Sequence, residues 1–299
     1  MTEQCLFPKG CIAVLGMFDG VHIGHQALLK RASEIKQQTK LPVVMITFTH
    51  HPKTLFGKKP DMLTTNEQKK RLAIGYGADD IVFEPFDQKM RNLSPKQFIQ
   101  HYLMQKINAH YVVVGENYRF GYQHEGTANL LTEYQNYFSA EIVPAVKIHA
   151  FTVSSSKIRE LLRQGNLEEA LLFLGHSLEV EGKVEQGRQV GRKLGFCTAN
   201  VNGLFPPLKH GVYLTRCLLE NQWVPSISNF GIAPTFSLGN TERLECHLLG
   251  FQGDLYQKDI TIRFEMFVRP EITFQNEKDL ASCVQKDIVK AKKYFLEHP

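Results

Sequence analysis

Residues 11–25 read CIAVLGMFDGVHIGH and join an apolar run, a glycine-bearing turn and the start of a helix. The run Cys11–Leu15 predicts a buried strand, and the spacing of apolar residues over 21–36 predicts a helix directly after the turn. The N-terminus of a helix offers unpaired N–H groups and a partial positive charge, so this turn favours phosphate binding. The pattern is neither the P-loop nor GxGxxG, and it therefore predicts a phosphate site of another kind.

Two histidines lie three residues apart in this turn and share one face of the first helical turn, His22 and His25. Their rings would donate hydrogen bonds to phosphate oxygens as negative charge builds in a transition state. Gly16 and Gly20 would let the backbone approach a ligand, and Gly24 would leave room for a nucleotide. The alternative is that the histidines only decorate the start of a helix.

The first half of the chain alternates between apolar runs and helical spacing. The runs lie at 11–15, 41–48, 81–83, 111–115 and 141–146, and the further helical stretches lie near 67–74, 95–106 and 128–137. Continuous apolar strands separated by helices predict a parallel sheet covered on both faces. Ligands bind such sheets at the carboxyl ends of the strands.

Polar motifs follow several of these runs. TFTHHP at 47–52 ends on His51 and Pro52, and VVGENYRFG at 113–121 offers Asn117 and Arg119. VSSSKIR at 153–159 begins another predicted helix with three hydroxyls, Ser154, Ser155 and Ser156, followed by Arg159. These groups would contact phosphates, although serines at this place also suit an ordinary helix cap.

The pattern changes near residues 175–178, which predicts domains over 1–176 and 177–299. The second half has short extended segments separated by Gly, Pro and Asn, at 178–184, 211–219, 223–230, 243–250 and 260–267. This spacing predicts an antiparallel barrel, and apolar residues on one side of 277–295 predict a closing helix.

The second half also carries candidate oxygen ligands. GRKLGFCTAN at 191–200 ends on Thr198 and Asn200, whose side chains would converge in an extended segment and suit Mg²⁺. Glycines near them would let backbone amides wrap phosphates, although this segment taken alone favours a plain glycine-rich turn. In RLECHLLGF, Glu245 alternates with apolar neighbours and would act as a general base, or it lies on an ordinary exposed strand face.

Together these motifs resemble two known enzyme modules. The first half resembles the HxGH nucleotidyltransferase superfamily and, within it, the FMN adenylyltransferase module of bacterial FAD synthetases. The second half is similar to riboflavin kinase through GxVxxG at 182–187, GRxLGFxTAN at 191–200, ExH at 245–247 and RPExxF at 269–274. The order of the modules resembles that of the bifunctional bacterial riboflavin kinase/FAD synthetase family.

The resemblance implies a Rossmann-like nucleotidyltransferase domain with a parallel sheet, followed by an antiparallel β-barrel domain. It implies that ATP phosphorylates riboflavin to FMN in the barrel, and that a second ATP adenylylates FMN to FAD in the first domain. The residues it assigns are catalytic His22, His25, Arg159 and Glu245; nucleotide-binding Gly16, Phe18, Asp19, Gly20, Gly24, Asn117, Arg119, Ser154, Ser155, Ser156, Gly182, Gly187 and Gly195; flavin-binding His51, Pro52, Arg269 and Phe274; and Mg²⁺-binding Thr198 and Asn200.

Four positions depart from the family pattern, His50, Cys197, Ala233 and Gln257. The last three motivate an alternative in which the chain is a monofunctional FAD synthetase and the barrel serves docking or regulation. A flavin-binding sensor without turnover is a third hypothesis, but it would tolerate loss of the residues that are all present here.

Composition narrows the class of protein. A net charge of +5 suits phosphate ligands, but the basic residues form only short clusters, so we expect no nucleic-acid partner. We interpret one cluster, KKR at 69–71, as a solvated face. Six cysteines without a CxxC pair indicate a reducing compartment, and no apolar run is long enough to span a membrane. We therefore expect a cytoplasmic monomer or weak homo-oligomer that does not bind membranes.

Overall fold

The computed structural model describes residues 4–57, 60–185, 198–235, 239–251, 253–274 and 276–298. The chain divides into two compact units, one of Met1–Pro60 with Thr64–Ser155 and one of Asp61–Leu63 with Ser156–Pro299. Each unit has its own sheet.

The first unit is built on a five-stranded parallel sheet of order β3-β2-β1-β4-β7. Its strands are β1 Cys11–Leu15, β2 Val43–Phe48, β3 Asp80–Glu84, β4 Ala109–Gly115 and β7 Ser139–Val143, with the short pairs β5 Arg119–Phe120, β6 Gly126–Thr127, β8 Lys147–Ile148 and β9 Phe151–Thr152. Its helices are α1 Ile23–Thr39, α2 Asn66–Gly75, α3 Gln88–Arg91, α4 Pro95–Gln97 and α5 Ala128–Thr132, together with a π-helix over Phe98–Ile107.

Burial explains why this sheet is parallel. All five side chains of β1 are buried, because helices cover both faces of the sheet. One core cluster contains the π-helix and the other contains α1, and the two clusters take alternate residues of β1. The parallel sheet expected from the sequence is confirmed, since buried strands without polar alternation need cover on both sides.

Helix ends follow the capping chemistry of the sequence, with two differences. Thr65 and Gln68 form a capping box at α2, and Ser94 with Gln97 forms another ahead of the π-helix. The helix expected over 95–106 changes from α to π geometry at Phe98. The helix expected over 128–137 ends at Thr132. The backbone N–H groups of the next residues donate to carbonyls three positions earlier, as in a turn.

The second unit is a closed antiparallel barrel of order β10-β11-β14-β13-β12-β15. Its elements are α6 Ser155–Gln164, α7 Leu167–Leu174, β10 Leu178–Glu185, β11 Ala199–Gly203, β12 Gly211–Leu219, β13 Gln222–Thr235, β14 Gly239–Leu248, β15 Asp259–Pro270 and α8 Glu277–Glu297. The barrel and closing helix are therefore confirmed. The strand β11, which contains Asn200, adds to the five segments expected and closes the barrel between β10 and β14.

The closing helix covers one side of the barrel. Ile288, Ala291 and Phe295 of α8 pack against Val212 and Ile227 of the strands. This apolar contact explains the period of the 277–295 pattern, because the side of α8 that carries these residues is the side that is buried.

Candidate active sites

The turn after β1 has an unusual backbone. Phe18, Gly20 and Val21 all have positive φ, at 50°, 81° and 35°. For Phe18 and Val21 such conformations cost on the order of 1–3 kcal/mol each, so the surroundings must hold them in place. Both side chains are completely buried, and a Cβ on Gly16 would lie 3.0 Å from the Phe18 ring. The core therefore stabilises a strained turn at the point where the sequence predicts phosphate binding.

Asp19 ties this turn to two other segments. Its carboxylate Oδ1 accepts hydrogen bonds from the Thr64 backbone N–H at 3.3 Å and from the Thr64 hydroxyl at 3.5 Å. Thr64 in turn accepts the Gly20 N–H at 3.0 Å, and the Ser155 hydroxyl donates to the Asp19 carbonyl at 2.8 Å. Because Asp19 is only 1% exposed, its carboxylate holds the turn together from within the protein.

The two histidines stack on each other at the start of α1. His22 is the N-cap, and its Nδ1 accepts the backbone N–H of His25 at 3.3 Å. The ring centroids are 3.7 Å apart with an interplanar angle of 16°. A Cβ on Gly24 would lie 3.1 Å from the His22 ring, so this glycine makes room for the imidazole. Since Nδ1 of His22 accepts, a neutral His22 carries its proton on Nε2, as a phosphate donor requires.

His25 is held in the uncharged form. Burial lowers the pKa of its imidazole well below the ordinary value, and the neighbouring His22 and Lys69 lower it further. Its Nδ1 is buried and has no hydrogen-bond partner among the described residues. The helix start therefore presents an uncharged His25 stacked on the His22 ring, and the helix itself contributes a partial positive charge there.

A cavity of about 480 Å³ opens at the carboxyl ends of β1, β2 and β4 in the first unit. It is lined by four predicted site residues and by a group of aromatic rings that no motif singled out. The predicted residues are Gly16, Pro52, Asn117 and Arg119, and the rings belong to Phe48, Phe56, Phe86, Phe98, Tyr102, Tyr118, Phe120 and Tyr122. The aromatic rings come from distant segments, so only the tertiary structure assembles them.

Other predicted residues of the first half have structural partners. His51 caps a 3₁₀ turn over Pro52–Phe56, with its Nδ1 accepting the Lys53 N–H at 3.1 Å. In the second unit, the Arg159 Nε donates to the Asp61 carbonyl at 2.6 Å, and Arg163 pairs with the Asp61 carboxylate. Ser154 directly precedes α6, and Ser156 lies exposed in its first turn.

In the barrel, Glu245 lies between two asparagines on neighbouring strands. Strand pairing sets it opposite Asn200 of β11 and Asn229 of β13. Leu244, Cys246 and Leu248 are all buried in the barrel, whereas Glu245 is only partly buried. The alternation read from RLECHLLGF is thus present, and it turns the carboxylate outward.

A second cavity, of about 280 Å³, lies between these strands and α8. It brings together four residues that the sequence predicts at distant positions, Thr198, Glu245, Arg269 and Phe274. His247, Glu271 and Asp287 also line it. Arg269 makes a two-pronged ion pair with Asp287 of α8, its shortest contact being 2.6 Å, so this arginine also fastens the helix to β15.

The environment of the Glu245 carboxylate suits it to accept a proton. Burial raises the pKa of this carboxyl, Glu271 raises it further, and Arg243 opposes the shift. A carboxylate with a raised pKa takes a proton from a hydroxyl more readily than an ordinary surface carboxylate does.

Two oxygen-bearing side chains near Glu245, those of Asn200 and Thr198, are the candidates to hold a divalent cation. The Oδ1 of Asn200 is buried without a hydrogen-bond partner in the described part of the chain, and the exposed Thr198 lines the cavity. Mg²⁺ prefers a few protein oxygens and takes its remaining ligands from phosphate and water. No group of three or more His, Cys, Asp or Glu able to hold a metal occurs among the described residues.

Some of the residues singled out from the sequence have a packing role, and others lie outside the residues that the structure describes. Gly182 of β10 is paired with Gly203 of the neighbouring strand β11. A Cβ on Gly182 would lie 2.3 Å from the Asn202 carbonyl, so strand packing already requires glycine at position 182. Gly187, Gly195 and Cys197 lie outside the described residues, as does the side chain of Ala233. A turn places Gln257 at a φ of 64°.

The largest difference from the sequence interpretation is Lys69. The cluster at 69–71 was expected to be a solvated face, but Lys69 is 1% exposed, whereas Lys70 and Arg71 are exposed. Lys69 lies on the buried side of α2, together with Gln68 and Ala73. The position of this lysine in the second turn of a capped helix is the only sequence signal for its burial. Its charge predicts exposure to solvent instead.

No helix in the described part of the chain has the length and apolar character needed to cross a membrane. A family model described as FAD synthetase matches residues 6–157, and one described as riboflavin kinase matches residues 174–295.

Full-length relatives carry both modules in one chain. A bifunctional riboflavin kinase/FMN adenylyltransferase of Buchnera aphidicola subsp. Acyrthosiphon pisum is 33% identical over 96% of this chain and 94% of its own length. The protein of the same description from Escherichia coli K12 is 32% identical over 96% and 93%. A crystal structure described as a macrolide-efflux protein from Streptococcus pneumoniae superposes with a TM-score of 0.89 at 26% identity, over 98% of this chain and 97% of the other.

Proposed function

Because the chain belongs to the family of bifunctional riboflavin kinase/FMN adenylyltransferases, we propose that each cavity serves one of the two activities. The protein is an ATP-dependent transferase that phosphorylates riboflavin to FMN and adenylylates FMN to FAD. The barrel cavity would perform the first reaction, and the cavity beside the histidine turn would perform the second.

Adenylyl transfer needs a positioned phosphate nucleophile and stabilisation of charge. An oxygen of the FMN phosphate attacks the α-phosphorus of ATP, a new P–O–P bond forms, and pyrophosphate leaves. His22 would donate from Nε2, because its Nδ1 already accepts the His25 N–H, and His25 would donate from the same turn. Such preorganised donors are worth most where water is excluded. By the family resemblance, Arg159 would brace the triphosphate, and Ser154, Ser155 and Ser156 would bind the nucleotide.

The flavin ring of FMN fits the chemistry of the larger cavity. Its volume of about 480 Å³ falls in the range of small-molecule sites, and aromatic rings make up much of its wall. A flat aromatic ligand gains from offset contacts with such rings. The exposed Asn117 and Arg119 line this cavity and would contact the phosphate of FMN or ATP.

Riboflavin phosphorylation would follow from the second cavity. Glu245 takes the proton of the terminal ribityl hydroxyl, that oxygen attacks the γ-phosphorus of ATP, and ADP leaves. Thr198 and Asn200 would hold Mg²⁺, which supplies charge neutralisation on the ATP phosphates when it is bound. Arg269 and Phe274 would lie beside the flavin ring.

The bifunctional assignment is favoured over a monofunctional FAD synthetase. The single observation that carries it is the smaller cavity, in which Glu245 and Thr198 meet beside Asn200. The riboflavin kinase match over 174–295 points the same way. A barrel used only for docking would have no need of a buried, unpartnered amide oxygen next to a carboxylate with a raised pKa.

The finer assignments remain our proposals. They are a cytoplasmic monomer or weak homo-oligomer, without nucleic-acid or membrane partners, and a sequence boundary near residue 176 between the two sets of motifs, whereas the compact units divide between Ser155 and Ser156. The five described cysteines are free thiols, which supports a reducing compartment.

The test is a product analysis. The protein is incubated with riboflavin, ATP and Mg²⁺, and then separately with FMN, ATP and Mg²⁺, and the flavins are separated by chromatography. We expect FMN and then FAD in the first reaction and FAD with pyrophosphate in the second. FAD from FMN without any FMN from riboflavin would support the monofunctional alternative instead.

A further inference from the structure

A shielded polar network lies behind the aromatic wall of the larger cavity in the first unit. Glu84, the last residue of β3, accepts the Tyr102 hydroxyl on Oε2 at 3.1 Å and the Lys106 ammonium on Oε1 at 2.7 Å. The Glu84 side chain is 11% exposed and that of Lys106 is 20% exposed, so solvent screens this ion pair only weakly. Neither proposed mechanism uses the carboxylate or the ammonium.

Tyr102 joins this network to the cavity. Its ring lines the cavity and stacks on the Phe98 ring, with centroids 5.2 Å apart and an interplanar angle of 18°. Of the described residues, those that line the cavity include neither Glu84 nor Lys106. The phenol therefore contributes its ring to the cavity wall, while its hydroxyl is bound by a carboxylate outside that wall.

Tyr102 and Lys106 lie four positions apart on the π-helix over Phe98–Ile107. π-Helical geometry is rare and occurs frequently at functional sites. The Lys106 ammonium also lies 5.4 Å from the centre of the Tyr102 ring, which is within cation–π distance. The ring is thus held through its hydroxyl, through Phe98 and through Lys106.

Glu84 also fixes a second part of the cavity wall. Its backbone carbonyl accepts the Thr49 N–H at 2.9 Å. Thr49 belongs to the segment 47–52, whose last residue, Pro52, lines the cavity. One residue at the carboxyl end of β3 therefore connects two segments that build the wall, the π-helix and the loop after β2.

We propose that Glu84 is a positioning residue for flavin binding: it accepts the Tyr102 hydroxyl and so fixes the orientation in which the Tyr102 ring meets the flavin ring of FMN, while Lys106 compensates the shielded carboxylate. The inference rests on the proposed function of the first unit. Aromatic contacts depend on offset and angle, and a ring that is already ordered loses less freedom when the ligand binds. The network should therefore set the affinity for FMN and leave the affinity for ATP unchanged.

The test compares an acceptor with an apolar side chain at position 84. The double variant Glu84→Gln with Lys106→Met removes both charges and keeps an acceptor for the Tyr102 hydroxyl, whereas Glu84→Leu with Lys106→Met removes the acceptor as well. Replacing both members of a buried ion pair commonly preserves stability. Tyr102→Phe removes the donor but keeps the ring and the ion pair, and Tyr137→Phe, at a residue that is 63% exposed, is its matched control.

Each protein is measured for melting temperature, for riboflavin phosphorylation, and for kcat and the KM values of FMN and ATP in FAD formation. Binding without turnover is followed by fluorine NMR of protein labelled with fluorotyrosine. The signal that Tyr102→Phe deletes belongs to Tyr102, and its midpoint in an FMN titration reports flavin binding at this cavity alone.

We expect Tyr102→Phe to raise the KM for FMN about three- to tenfold, the range that the loss of one hydrogen bond typically produces, with kcat and the KM for ATP nearly unchanged. Glu84→Leu with Lys106→Met should show the same rise, and adding Tyr102→Phe to it should cause no further rise, because the acceptor is already gone. Glu84→Gln with Lys106→Met should stay close to the wild type. Riboflavin phosphorylation should continue throughout, and Tyr137→Phe should match the wild type.

Two results would overturn the inference. One is an unchanged KM for FMN in Tyr102→Phe, which would make the network purely structural even if the melting temperature fell. This variant keeps the ion pair, so it decides the question even if a double variant fails to fold. The other is an equal KM for FMN in the two double variants. If the wild type made no FAD from FMN, the proposed function would fail, and the FMN titrations of the Tyr102 signal in the two double variants would still decide the role of Glu84.

Discussion

Burial shifts the pKa values of His25 and Glu245 in opposite directions, because it disfavours the charged form of both side chains. The pKa of the imidazole falls and that of the carboxyl rises. A neutral imidazole can donate a hydrogen bond to phosphate, and a carboxylate with a raised pKa can take a hydroxyl proton. Each residue is thereby matched to its proposed reaction by desolvation.

His25→Ala should lower kcat for FMN-to-FAD conversion by roughly 10²–10³, because it removes a preorganised donor. The effect on KM should be smaller, since the donor acts mainly on charge that develops in the transition state. His25→Asn keeps an N–H donor, and because His25 is uncharged it should fall between alanine and the wild type. Steady-state kinetics and melting temperature are measured on the same samples.

Riboflavin phosphorylation serves as the internal control for His25→Ala and should continue. If His25 only packs in the first turn of α1, the variant would melt earlier but turn over normally at low temperature. That pattern would remove His25 from the catalytic machinery.

Glu245→Gln should lower FMN formation by roughly 10²–10⁴ while FAD formation from supplied FMN survives. The pH profile adds a second measurement. Kinase activity should be present above the raised pKa of Glu245 and lost as pH falls through it. Glu271→Gln removes a negative charge that raises this pKa, so the acid limb of its kcat/KM profile should move to lower pH.

An acid limb that stays in place in Glu271→Gln would mean that another group controls the profile. Equal loss of FMN and FAD formation in Glu245→Gln would show that the two sites are not independent.

At the level of elements, apolar packing and an ion pair both hold α8 to the barrel. Its side chains Ile288, Ala291 and Phe295 are buried against the strands, and Asp287 binds the Arg269 guanidinium of β15. The pair is largely shielded, with side-chain exposures of 19% for Arg269 and 10% for Asp287. Because Arg269 and Asp287 also line the smaller cavity, this element connects barrel stability with the proposed kinase site.

Asp287→Asn should destabilise the barrel by about 3 kcal/mol, because it leaves the Arg269 charge without its partner. Kinase activity should fall with it, while FAD formation from FMN should persist at temperatures where the first unit stays folded. Denaturant unfolding and both assays test this. Lys290→Gln, an exposed position on the same helix, is the control. Unchanged stability in Asp287→Asn would mean that the apolar contacts alone hold α8.

At the level of the whole molecule, the two helices before the barrel belong to the barrel unit. The Lys209 N–H donates to the Leu162 carbonyl of α6 at 3.0 Å, and Gly165 lies close to the Phe267 ring of β15. Phe173 and Leu174 of α7 are completely buried. A fragment that begins at residue 177 therefore lacks packing that one beginning at residue 156 retains.

The fragment 156–299 should be soluble and retain riboflavin kinase activity, whereas 177–299 should be less stable. Loss of several buried side chains costs a few kcal/mol, which lowers the melting temperature of a domain of this size by about 10 °C or more. Calorimetry and the FMN assay compare the two fragments. Equal stability would favour the boundary near residue 176 that the change of sequence period predicts.

The sequence by itself determined the alternation of strands and helices, the change to a barrel, and the motifs with their order. These are local properties, because apolar period, capping residues and glycine turns act over a few positions. The stacked pair His22 and His25 is of this kind, since both rings belong to one helical turn.

Only the tertiary structure decided which distant residues meet. The aromatic wall of the larger cavity comes from several separate segments, and β11 sets Asn200 beside Glu245 through strand register. Lys69 shows the physical reason most directly. Its charge alone predicts exposure, but the packing of α2 leaves it only 1% exposed. The burial of one charged side chain cannot be read from local spacing, since it depends on how the whole helix packs within its unit.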